Sequence, residues 1–128
     1  MVTLNEVEFP GTRPEFLCFQ ALVRLGKIPE VDFTFQSSLF GGRVEKGGLI
    51  IDFLFSDPPD LAISVLGSYF HYVLGGGTRG RDLINREILA QQGLTLIFID
   101  DVDLEEDAIR VVGEALQFQD RSKLARGA

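Results

Sequence analysis

One charge interrupts the most apolar stretch of the chain: Asp52, set among Leu49, Ile50, Ile51, Phe53, Leu54 and Phe55. A carboxylate buried in such surroundings without a partner is strongly disfavoured. Asp52 therefore requires a cation, a metal ion or hydrogen-bond donors beside it, and the last of these alone would make its role purely structural. Other groups have plainer readings. Cys18 is the only cysteine and cannot form an internal disulfide; on an apolar helical face it reads as core filler rather than a reactive thiol. Arg43, Lys46, Arg79, Arg81 and Arg86 flank the central stretch, as a local basic face or as part of a mixed surface. Asp100, Asp101, Asp103, Glu105, Glu106 and Asp107 crowd together near the other end.

The bulk numbers bound what such residues can do. A length of 128 residues predicts a single domain over 1–128 with a real core, placed at about 12–118 and followed by a tail over 119–128. The composition, 45% hydrophobic and 24% charged with 11 Phe and no Trp, is that of a soluble globular chain. A net charge of −7 argues against indiscriminate affinity for nucleic acid across the whole surface. No apolar run approaches the length that spans a bilayer. The opening MVTLNEVEF lacks the basic and apolar regions of a signal peptide. No membrane association and an intracellular location are the expectations.

The elements that must position Asp52 follow from spacing. Residues 1–11 read as an extended lead-in. Thr12-Arg13-Pro14-Glu15 has the form of a capping box, with Thr12 as N-cap and Glu15 reaching back to it. The helix it opens carries Phe16, Phe19, Ala21, Leu22, Val23 and Leu25 and ends at Gly26. Val31, Phe33 and Phe35 alternate with polar residues, predicting a half-buried strand within 28–36. Gly pairs bracket 43–46 as a turn or flap. Residues 49–55 and 61–66 are two central strands around a Pro-rich turn. A Gly-rich basic stretch leads into a helix over about 81–92, with Leu83, Ile84, Ile88 and Leu89 inward and Gly93 closing it. Residues 94–99 are an apolar strand, and Asp103 and Glu106 cap a last helix over about 104–118. The tail from Asp120 has no pattern, as for a disordered or ligand-binding segment. The order αβββαβα predicts an α/β fold: a mixed sheet with at least one parallel pair, between two helical layers.

That order, with its polar residues, resembles the PD-(D/E)XK nuclease-like superfamily over nearly the whole chain. Glu15 and Asp52 fall where that family carries a Glu on the first helix and an Asp on the second core strand. The third strand departs from the pattern: Ser64 stands where the family has an acidic residue and Leu66 where it has a Lys. The series Glu15, Asp52, His71, Asp82 is instead similar to the E-D-x-H-D branch of phage homing endonucleases, related to very-short-patch repair endonucleases. The run Gly67-Ser68-Tyr69-Phe70-His71 resembles that branch's Gly-x-aromatic-Trp-His string, with Phe70 in place of Trp.

The resemblance implies a metal-dependent DNA endonuclease, encoded by a phage or mobile element and acting in the host cytoplasm. Asp52 and Glu15 would hold Mg²⁺ or Mn²⁺, the ion activating water and neutralising phosphate charge. His71 would act as general base or acid, Asp82 would orient it, and Arg79 or Arg81 would hold a phosphate. Gln36 and Arg43 are further candidates for substrate contact. Each has a plainer role open to it. Glu15 is explained as a capping residue, Asp82 as a first-turn carboxylate, His71 as a hydrogen-bonded neighbour of Tyr69 and Tyr72, and Gln36 as a solvated side chain. Gly75-Gly76-Gly77 lacks the Lys-Ser/Thr of a phosphate-binding loop. The uncharged third strand keeps a second expectation open: the same fold, inactive, as a structural component of a phage particle, contacting protein subunits within the virion. A resolvase-like enzyme is a third. A nuclease of 128 residues with no helix-turn-helix or zinc module would have to dimerise or borrow specificity, and a homo-oligomer is the expectation.

Overall fold

A computed structural model of the chain describes residues 2–4, 7–9, 11–35, 44–46, 49–67 and 78–125. The elements in order are β1 (Val2–Leu4), β2 (Val7–Phe9), α1 (Arg13–Arg24), β3 (Phe33–Phe35), β4 (Val44–Lys46) and β5 (Leu49–Ile51). They continue with β6 (Phe53–Phe55), β7 (Leu61–Leu66), α2 (Thr78–Gln91), β8 (Thr95–Asp100) and α3 (Asp101–Ala115). The lead-in is not a single extended arm, because β1 and β2 pair antiparallel as a hairpin.

The central sheet has the order β3-β6-β7-β8. Its first two junctions are antiparallel and β7 pairs with β8 in parallel, the connection through α2 returning the chain to the same end of the sheet. The expected α/β fold with a mixed sheet is present. On one face Phe33, Phe35, Phe53, Phe55, Leu61, Ile63, Ile97 and Ile99 pack with Cys18, Ala21 and Leu22 of α1 and with Leu104, Val111, Val112 and Ala115 of α3. On the other, Ala62, Leu66, Leu96 and Phe98 pack with Leu89 and, partly, Leu83 of α2.

The residue spacing explains most of this. Thr12 caps α1 as the capping box predicts, and Gly26 leaves the helix at φ 92°, a conformation glycine adopts without the steric penalty of a Cβ. The strand expected over 28–36 is shorter. Asp32 accepts from the Ile28 amide through Oδ2 at 2.7 Å and donates its own amide to the Ile28 carbonyl, also at 2.7 Å. That turn leaves only 33–35 in the sheet and turns Val31 out to 64% exposure, against the expected alternation. Helix α2 begins three residues earlier than expected. Leu89 is buried, but Ile84 is 61% exposed, so the inward stripe is narrower than its apolar letters suggest.

Residues 49–55 do not form one strand. The chain bends at Asp52, so that β5 pairs with β4 while β6 pairs with β3 and β7. The bend also reverses which way side chains point. Simple alternation would send Ile51 to the same face as Phe53 and Phe55, yet Ile51 is buried with the α2-side cluster. A continuous apolar run tolerates either register because both faces of this sheet are covered.

Helix α3 is two helices in one. Asp107 has φ −159° and ψ 83°, outside helical geometry, and its Oδ1 accepts from the Arg110 amide at 3.1 Å. Asp107 thus acts as an N-cap for 108–115 in mid-element. The first half starts after Asp100 rather than at the expected Asp103. Asp107→Ala is expected to lower stability by about 1 kcal/mol, read as a shift in urea midpoint, with a matching loss of helical far-ultraviolet signal. The carboxylates at 101–107 belong to this double start, where helix dipoles favour negative charge.

Of the tail, expected to be disordered or ligand-binding, residues 120–125 are ordered and pack against the sheet. Ser122 and Leu124 are buried, and Leu124 joins the α2-side cluster. Arg121 makes a bidentate pair with Glu114, Nε to Oε1 at 2.5 Å and Nη2 to Oε2 at 2.8 Å. The hydrogen bond from Arg121 holds the Glu114 carboxyl below its ordinary range. Among the described residues no helix is long and apolar enough to cross a membrane.

Candidate functional site

Glu15 is brought to its place by the start of α1. Its Oε1 accepts from the Thr12 amide at 2.9 Å and from the Thr12 hydroxyl at 3.0 Å, while its own amide donates to Thr12 Oγ1 at 3.3 Å. The side chain is only 7% exposed. Gly11 closes over it. A Cβ at Gly11 would lie 3.1 Å from Glu15 Oε1 and within 2.8 Å of the Phe9 and Phe35 rings, too close for any other residue without rearrangement. Glu15 is therefore a capping residue, as one reading expected, and also a carboxylate tucked beneath an aromatic cluster. In that cluster Phe9 meets Phe16 at 5.2 Å and Phe35 at 4.9 Å between ring centroids.

Asp52 sits at the bend between β5 and β6. Its Oδ2 accepts from the amide of Val65 in β7 at 2.8 Å. With Phe53 opposite Ile63 in the antiparallel register, the next positions along the pair fall at Asp52 and Ser64. Where the bend interrupts the ladder, the carboxylate supplies the acceptor that a backbone carbonyl would otherwise provide. This answers part of the demand that an apolar strand makes of its one acid.

Cys18 lies in the same helix as Glu15. It is fully buried on α1, one turn after Glu15, and burial pushes its thiol pKa far up. The negative charges of Asp52 and then Glu15 push it further in the same direction. Glu15 and Cys18 both lie on the buried face of α1. The clue was available in the sequence, since Glu15 and Cys18 are spaced i, i+3 and share a helical face. A thiol so placed stays protonated, which fits the core-filler reading. The raised folded pKa has a definite sign. Below an unfolded value of about 8.5 both states keep the proton, and above it only the unfolded state loses it, so stability falls as pH rises. Chemical denaturation of wild type at pH 8 and pH 10 is expected to show this loss, and Cys18→Ala to remove it.

The remaining candidates are distributed as follows. Asp82 lies in the second turn of α2, since that helix begins at Thr78, so it is not the first-turn carboxylate that the sequence suggested. Its Oδ2 is shielded from solvent, and it rides on the helix that packs against the opposite face of the sheet from α1. Ser64 and Leu66 alternate with Val65 on β7; Leu66 is buried in the α2-side cluster and Val65 packs against the α1 side. Arg79 and Arg81 fall within the first turn of α2. Gln36, Arg43 and His71 lie outside the described residues, as do Tyr69 and Phe70. Of the four acidic and imidazole candidates, then, three are among the described residues: Glu15 in α1, Asp52 at the bend between β5 and β6, and Asp82 in α2.

Among the described residues no group of three or more His, Cys, Asp and Glu side chains is placed to hold a metal ion. What Glu15 and Asp52 offer is a pair of hard oxygen donors, the number and type with which Mg²⁺ is commonly held when substrate phosphate and water complete its shell. Each already accepts hydrogen bonds within the fold, Glu15 from Thr12 and Asp52 from Val65. Elsewhere, Asp103, Glu106 and Asp107 line a small cleft together with Arg110 and Arg121, whose positive charges offset theirs. Comparison with protein family models, with curated proteins and with solved structures gives no match to this chain.

Proposed function

We propose that the chain is a metal-dependent DNA endonuclease of PD-(D/E)XK type that hydrolyses phosphodiester bonds, encoded by a phage or other mobile element. The observation that carries this reading is that a carboxylate, Asp52, is set at the bend between β5 and β6 and held by the Val65 amide, with a second, Glu15, buried at the start of the first helix. These are the two positions at which the resemblance calls for metal-holding carboxylates. The order of helices and strands from α1 to α3, and the bend at Asp52, support it further, since strand irregularities concentrate beside active sites. Asp52 and Glu15 would hold Mg²⁺ or Mn²⁺, which when bound activates water and offsets phosphate charge. His71 would transfer the proton, Asp82 would orient it, and Arg79, Arg81, Gln36 and Arg43 would contact the DNA.

A second reading is favoured by a different observation. Both carboxylates are engaged within the fold, Glu15 by Thr12 and Asp52 by the Val65 amide, and β7 carries no charged residue. The same domain kept as an inactive subunit of a phage particle would retain these bonds. Plasmid nicking with Mg²⁺ or Mn²⁺ separates the two. Metal-dependent nicking that disappears in Asp52→Ala supports the enzyme; pure, folded protein that does not nick at high concentration supports the structural subunit.

A further inference from the structure

We draw no further inference here: the strongest candidate, the shallow apolar groove over β3 and β6 lined by Glu30, Val31, Thr34, Leu54 and Ser56, carries nothing because nothing in the structure shows what covers it.

Discussion

Asp52→Asn is expected to keep the fold and to lower the proposed metal-dependent strand cleavage at least about a hundredfold, a larger effect than loss of a residue that merely supports a metal ligand. The two demands on this side chain are separable. Its structural task is to accept the Val65 amide at the bend, and an amide oxygen does that almost as well as a carboxylate, within roughly 1 kcal/mol. Its proposed catalytic task needs negative charge, which Asn lacks. Asp52→Ala removes both and leaves a part-buried donor without this acceptor, at a cost of about 1 kcal/mol or more. Plasmid nicking and urea denaturation on the same preparations resolve the two contributions. An Asn variant that nicks at the wild-type rate would rule out Asp52 as a metal ligand. An Asn variant as unstable as Ala would show that the carboxylate's own charge holds the bend.

The largest loss of stability is expected from Phe53→Ala, at about 3–5 kcal/mol. Phe53 is fully buried on β6, its ring 4.9 Å from Phe35 and 6.0 Å from Phe33 between centroids. Truncation empties the centre of the face that α1 and α3 cover, and the neighbouring rings are held by their own strands and cannot collapse into the gap. Against a total of about 5–15 kcal/mol for a typical domain, such a loss consumes much of the margin. The urea midpoint should fall with little change in slope, as long as unfolding remains two-state. Ile84→Ala provides the contrast. The residue is as apolar but 61% exposed on α2, so its removal should change stability by no more than about 0.5 kcal/mol.

The comparison between Phe53 and Ile84 shows where reading letters succeeds and where it stops. Both stand in sequence patterns that predict burial. For Phe53 the prediction holds because a central strand of a covered sheet has no exposed side. For Ile84 it does not, because a helix buries only the stripe that meets the sheet, and the width of that stripe depends on how the helix docks. Glu15 shows the same divide within one residue. Its capping role is local and was legible from Thr12 three positions earlier. Its burial beside the Phe9 and Phe35 rings depends on how distant parts of the chain pack over the start of α1.

Local chemistry is what the sequence by itself determined: where α1 starts and stops, that residues 61–66 and 94–99 are strands, that a helix joins them, and hence that the sheet is mixed. These follow from caps, glycines and periodicity, whose energies act within a few residues. Tertiary structure alone decided that the chain bends at Asp52 and swaps the face of Ile51, and that residues 120–124 lie along β8. Each of those depends on a hydrogen-bond partner or a packing surface from another part of the chain. The Val65 amide lies 13 positions from Asp52 and the Phe98 amide 22 from Asp120, beyond the reach of any local rule.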